Sequence, residues 1–127
     1  MQIAEGRQVV VAFDFSPTSE TALSTAIDLA ASAPNHVLHV GVAVEAGHHV
    51  PVLPSGDVDY QYTEKVHDIL TEKLTGIFAA RAPNKEIHFF VHVRIGKPAN
   101  ELLALAQEVS ADLIVIGSHG WRGLDRL

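Results

Sequence analysis

The stretch from Asp112 to Gly123 (Asp-Leu-Ile-Val-Ile-Gly-Ser-His-Gly-Trp-Arg-Gly) places glycines at 117, 120 and 123 directly behind four branched apolar residues. Glycine lets the chain turn through positive φ and leaves the main chain bare to a ligand. The chemistry on offer is a row of main-chain N–H groups facing an anion, with Ser118 and His119 between the first two glycines. Arg122 and Arg126 follow closely; each is placed to neutralise phosphate charge or to lie solvated on the surface. The spacing is not that of a Walker A loop, which continues into Gly-Lys-Ser/Thr. Nor is it the G-x-G-x-x-G fingerprint that follows a first strand.

A second group lies near the start, at Phe13-Asp14-Phe15-Ser16-Pro17. A carboxylate at the end of a central strand is costly unless it is paired, hydrogen-bonded or near solvent. Asp14 therefore either caps the turn that follows, bonding Ser16 and Thr18, or accepts a hydrogen bond from a ligand's base or sugar, or lies near a metal. The hydroxyls of Ser16, Thr18, Ser19 and Thr21 stand where a flavin phosphate loop would, but a plain helix cap accounts for them better. Response-regulator chemistry needs an aspartate after the third strand, where this chain has Arg94-Ile95-Gly96.

Eight histidines raise the question of a metal. His88 and His92 share a strand face, but four residues of strand separate them by roughly 13 Å, too far for one zinc. His48-His49 has no acidic partner at ligand spacing, and His39 reads as a core or edge residue satisfied by a backbone group. His119 sits between glycines without a nucleophile or orienting carboxylate in sequence, so it reads as a turn residue. We expect neither a dedicated metal site nor a catalytic constellation.

These groups must be held by alternating elements. Val9–Phe15 is a β-rich apolar run; Ser16-Pro17 then opens a helix with Ser as N-cap and Pro in its first turn. That helix presents Leu23, Ala26, Ile27 and Ala30 on one face and stops at Pro34-Asn35. His36–Val44 is the second strand, and Glu45–Asp59, with its prolines and glycines, is an irregular segment expected to cover the mouth of the site. A helix follows from about Val58 to Ala82, with Val66, Ile69, Leu70, Leu74, Ile77 and Phe78 on one stripe. Glu86–Ile95 is the third strand; Gly96-Lys97-Pro98 opens a third helix packed through Leu102, Leu103, Ala106 and Val109. Leu113–Ile116 is the fourth strand, and its unbroken apolar run predicts burial on both faces. Such alternation implies a parallel sheet with right-handed crossovers and helices on both faces. Ligands of such sheets sit beyond the carboxyl ends of the strands, where both groups above fall.

The bulk properties narrow the function. A chain of 127 residues with 47% hydrophobic and 19% charged content fits a single folded domain, 1–127. A formal net charge of −6 argues against a nucleic-acid partner, which would need a basic face. There are no cysteines for disulfides or thiol catalysis, and no apolar run approaches the roughly 18 residues of a membrane span. The N-terminus lacks the basic start and long apolar segment of a secretory signal, so the cytoplasm is the expected location.

Taken together, Val9-Val-Val-Ala-Phe-Asp14-Phe-Ser16-Pro17, Leu38-His39-Val40, Gly96-Lys-Pro98-Ala99-Asn-Glu101 and Ala111-Asp112-Leu-Ile-Val-Ile-Gly117-Ser-His-Gly120-Trp-Arg-Gly123-Leu124 resemble the universal stress protein family, in order and along the whole chain. The resemblance implies a five-stranded parallel sheet of the adenine nucleotide alpha hydrolase-like type, strand order 3-2-1-4-5, usually as a homodimer. One branch of the family binds ATP through a Gly-x-x-Gly pair and a later Gly-Ser/Thr pair. By that carry-over Gly117 and Gly120 meet ribose and phosphate, with Ser118, His119, Arg122 and Gly123 in the same segment. Asp14 and the backbone of Val40 hold the adenine, Phe13 and Ser16 line the pocket, and magnesium travels with the phosphates rather than in a protein cage.

The chain ends at Leu127, before the later Gly-Ser/Thr pair and the fifth strand. A domain ending there leaves an apolar sheet edge uncovered, so we expect the sequence to be C-terminally incomplete. The function implied is a stress-response sensor or regulator that binds ATP or a related adenine nucleotide and is at most a slow ATP hydrolase. The alternative is a dimeric protein-interaction module of the branch that binds no nucleotide. A substrate-adenylating enzyme of the wider superfamily is disfavoured, since no Ser-Gly-Gly-x-Asp-Ser loop follows the first strand.

Overall fold

A computed structural model describes residues 6–45, 54–55, 60–84 and 87–117. Four strands, β1 (Arg7–Ala12), β2 (His36–Val44), β3 (His88–Ile95) and β4 (Leu113–Val115), alternate with three helices, α1 (Pro17–Ser32), α2 (Tyr60–Arg81) and α3 (Pro98–Glu108). All pairings are parallel and the strand order is β3-β2-β1-β4, which matches the first four places of the expected order. The register runs Arg7 to His36 through Ala12 to Gly41 between β1 and β2, and Val37 to His88 through Val44 to Ile95 between β2 and β3.

Side chains of a strand alternate between the two faces, so each face of the sheet builds its own core. On one face Val9, Val11, Phe13, Leu38, Val40 and Val42 pack under α1 and α2, which contribute Leu23, Ala26, Ile27, Leu70, Leu74 and Phe78. On the other, Val10 and Ala12 pack under Leu102, Leu105 and Val109 around α3. Gly41 belongs to this second face: a Cβ there would lie 2.8 Å from Leu105 Cδ2, so glycine lets α3 settle against β2. Among the described residues no helix is long and apolar enough to cross a membrane.

Several expectations need correction. The first strand begins at Arg7 and ends at Ala12 rather than running to Phe15, because Asp14 onward forms the turn into α1. The Leu113–Ile116 run is not buried on both faces: Leu113 is 44% exposed, Ile114 39% and Ile116 44%. β4 pairs with β1 through three residues and borders no other strand among the described residues. On α2, Ile69 is exposed and the buried stripe narrows to Leu70, Leu74 and Phe78, since the helix lies over the edge strand β3. On α3, Leu103 is exposed and Leu105 packs inward in its place.

Candidate functional site at the carboxyl rim

The expected site begins at the carboxyl end of the central strand. Phe13 extends the ladder by donating its N–H to Gly41 O at 2.9 Å, and its side chain is wholly buried. Asp14 then turns the chain: its Oδ1 accepts the Ser16 N–H at 2.9 Å, and its own N–H donates to Ser19 Oγ at 3.2 Å. Ser16 is the N-cap of α1, its Oγ accepting the Ser19 N–H at 3.2 Å, while Pro17 occupies the first turn without needing a donor. Ser19, fully buried, returns a bond from its Oγ to Ser16 O at 3.0 Å. The turn is thus closed by its own hydroxyls and one carboxylate oxygen, and among the described residues Asp14 engages through Oδ1 alone.

Phe15, between Asp14 and the cap, has φ +64°. Its ring meets that of Phe13 edge-to-face, centroids 4.8 Å apart, and is 48% exposed. Val40 is buried in the middle of β2, level with Val11 on one side and Val91 on the other, one step short of where β1 ends. Gly117 closes the rim from the β4 side. A Cβ at this position would lie 2.6 Å from the Thr18 carbonyl oxygen and 2.7 Å from its carbon, so the end of β4 rests on the first turn of α1. The topology therefore brings Phe13, Asp14, Ser16 and Gly117 to one edge. Ser118, His119, Gly120, Arg122 and Gly123 lie outside the described residues, as does most of the 45–59 segment expected over the mouth. The three cavities described for the fold are lined by other residues than Asp14, Val40 or Gly117.

A second constellation escaped the sequence reading. His39, buried on the α3 side, does not bond a backbone group. Its Nδ1 lies 3.0 Å from His92 Nε2 and its Nε2 lies 2.7 Å from Gln8 Oε1. Gln8 Nε2 donates to Gly6 O at 3.1 Å, which fixes Oε1 as the acceptor. His39 then donates through Nε2–H and accepts at Nδ1 from His92 Nε2–H, a tautomer assignment that follows from the network. Phe90 stacks on the His39 ring, centroids 5.4 Å apart. Burial lowers the His39 pKa from 6.5 to about 4, with a further push from His92. Burial also lowers His92, helped by Arg94, whose guanidinium is paired with Glu108. The available signal was parity: His39 and His92 occupy the same face of neighbouring strands. Among the described residues no group of three histidine or acidic side chains is arranged to hold a metal ion.

With the geometry in hand, comparison with known proteins settles the lineage. The universal stress protein family model matches residues 6–127. The chain belongs to the universal stress protein family. It is 28% identical over 126 residues to universal stress protein A homolog 1 of Coxiella burnetii (strain RSA 493 / Nine Mile phase I), covering 95% of this chain and 82% of the relative. It is 32% identical over 115 residues to a universal stress protein of Mycolicibacterium smegmatis, covering 91% of this chain but only 36% of that longer relative. Among solved structures, a universal stress protein family member from Burkholderia pseudomallei superposes with TM-score 0.67 at 25% identity, covering 94% of this chain and 87% of that one. A family protein from Arabidopsis thaliana with AMP bound superposes with TM-score 0.62 at 12% identity, covering 94% and 81%, and supports the fold alone.

Proposed function

We propose that this universal stress protein binds ATP or a related adenine nucleotide at the carboxyl rim between β1 and β4, acting as a sensor or regulator rather than an efficient catalyst. One observation carries the reading: the chain leaves β4 through Gly117, which packs on Thr18 in the first turn of α1, and Asp14 Oδ1 holds the start of that same turn. The chain's only Gly-x-x-Gly-x-x-Gly run therefore begins, at Gly117, on the edge where Asp14 stands. In this reading Asp14 offers its second carboxylate oxygen to the adenine amine, the backbone of Val40 holds the base with it, and Phe13 and Ser16 line the pocket. The main chain of Gly117, Ser118, His119, Gly120 and Gly123 approaches ribose and phosphates, Arg122 offsets charge, and magnesium arrives with the phosphates. The AMP held by the Arabidopsis protein on the same fold supports the choice of ligand.

The site's residues fit a bound nucleotide better than a reaction. Asp14 is committed to the turn through Oδ1, and the hydroxyls beside it, Ser16 and Ser19, are engaged in closing that turn. Titration calorimetry with ATP, ADP and AMP, with and without magnesium, tests the reading. The wild-type chain binds, and Gly120→Val, which blocks main-chain approach, does not. Equal affinity in the variant refutes this site. A wild-type chain that binds none of them refutes the function and favours a homodimeric interaction module without nucleotide. That second reading has its own support, because the Thr18 main chain already accounts for a glycine at 117.

A further inference from the structure

Phe15 is expensive for the fold and returns little to it. Its φ of +64° is a left-handed conformation that bulky side chains rarely adopt and that costs roughly 1–2 kcal/mol. Its ring is 48% exposed. It stands just before the N-cap, where an apolar residue would clip onto the fourth helical position, but that position is Glu20. Its aromatic contact is the edge-to-face meeting with Phe13 at 4.8 Å, which leaves about half of the residue's surface to solvent beside Asp14. Strain and exposure held together at a rim point to a ligand that repays both.

We propose that Phe15 stacks against the base of the bound adenine nucleotide and is the residue by which the rim selects a base-bearing ligand over a sugar phosphate or a bare phosphate. This rests on the nucleotide reading above. A planar base gains from an aromatic face whatever its hydrogen-bonding edge. Stacking therefore distinguishes nucleotides from ribose phosphates, and the Asp14 carboxylate, an acceptor, adds the preference for an amine-bearing base.

The experiment compares wild type with Phe15→Asn and Phe15→Trp by calorimetry against AMP and ribose 5-phosphate, with thermal melts of each. Asparagine tolerates the left-handed backbone without the ring. The Asn variant keeps its melting temperature within a few degrees and loses AMP affinity by roughly 5- to 100-fold, while ribose 5-phosphate binding is unchanged. The Trp variant, which keeps a stacking face, keeps AMP affinity. Should the Asn variant unfold, Phe15→Leu, which retains an apolar contact with Phe13, carries the same expectation. Wild-type AMP affinity in the Asn or Leu variant overturns the inference, as does an equal loss for AMP and ribose 5-phosphate. A wild-type chain without affinity for AMP, ADP or ATP removes the nucleotide reading itself and this inference with it, so the two failures are distinguishable.

Discussion

Acid should loosen this fold through one buried pair, and the size of the effect follows from its geometry. His39 is 1% exposed and held between Gln8 Oε1 and His92 Nε2. Its folded pKa is lowered to about 4, chiefly by burial and then by His92, against 6.5 in a solvated chain. Between those values the unfolded chain takes up a proton that the folded chain refuses, so stability falls as pH falls through the window. The loss for His39 alone is about 2 kcal/mol on going from pH 7.5 to 5, and about 3 kcal/mol by pH 4. His92, also lowered by burial, adds to it in the same direction. Glu108, whose carboxyl is held down by its bond to Arg94, takes up protons below the ordinary carboxylate value of 4.5, so the upper part of the window belongs to the histidines.

Urea unfolding followed by far-ultraviolet circular dichroism at pH 7.5, 6, 5 and 4 measures this directly, since the midpoint tracks stability when the slope is constant. His39→Leu should flatten the slope between pH 7.5 and 5 to what His92 retains. At neutral pH it should cost about 1–3 kcal/mol, because Gln8 and His92 each lose a buried hydrogen-bond partner. Equal wild-type stability at pH 7.5 and 5, or a His39→Leu variant with the full wild-type slope, would refute the assignment of the lability to this pair.

Two further perturbations test the rim as structure. Gly117→Ala should destabilise by about 1–3 kcal/mol, because its Cβ would collide with the Thr18 main chain and that backbone cannot move aside cheaply; an unchanged urea midpoint would show that β4 does not rest on α1. Ser16→Ala should cost about 1 kcal/mol through loss of the cap on the Ser19 N–H, and a melting temperature equal to wild type would mean that water replaces the cap.

The elements whose ends are marked by their own residues were legible. Pro34-Asn35 and a nine-residue β-rich run delimit β2 at His36–Val44, and Ser16-Pro17 marks the start of α1. Periodicity was a coarser guide. Ile69 and Leu103 sit at helical spacing from buried neighbours yet face solvent, because how wide a stripe is buried depends on what the helix covers. The apolar run at Leu113–Val115 describes what a strand prefers beside it, and exposure there reports what stands beside it among the described residues. The His39–His92 bond was harder to read for a different reason. It joins residues 53 apart, and only the pairing of β2 with β3 brings them into contact.

At the proposed site the sequence was legible in where residues fall more than in what they are for. Asp14 and Gly117 do converge on one rim, but each also has work in the fold. Asp14 Oδ1 holds the turn into α1, and the bare Cα of Gly117 lets β4 meet Thr18. Substituting either would lower stability and ligand affinity together, and so would not distinguish a nucleotide site from a well-packed corner. Phe15 separates the two readings because its contribution to the fold runs the other way. Replacing Phe15 with asparagine, which tolerates the left-handed backbone, relieves part of a strain of roughly 1–2 kcal/mol while forfeiting an edge-to-face contact worth about 0.5–1.5 kcal/mol, so the fold barely changes. If nucleotide affinity then falls, the rim binds a base. If it holds, the strain at Phe15 serves the turn alone.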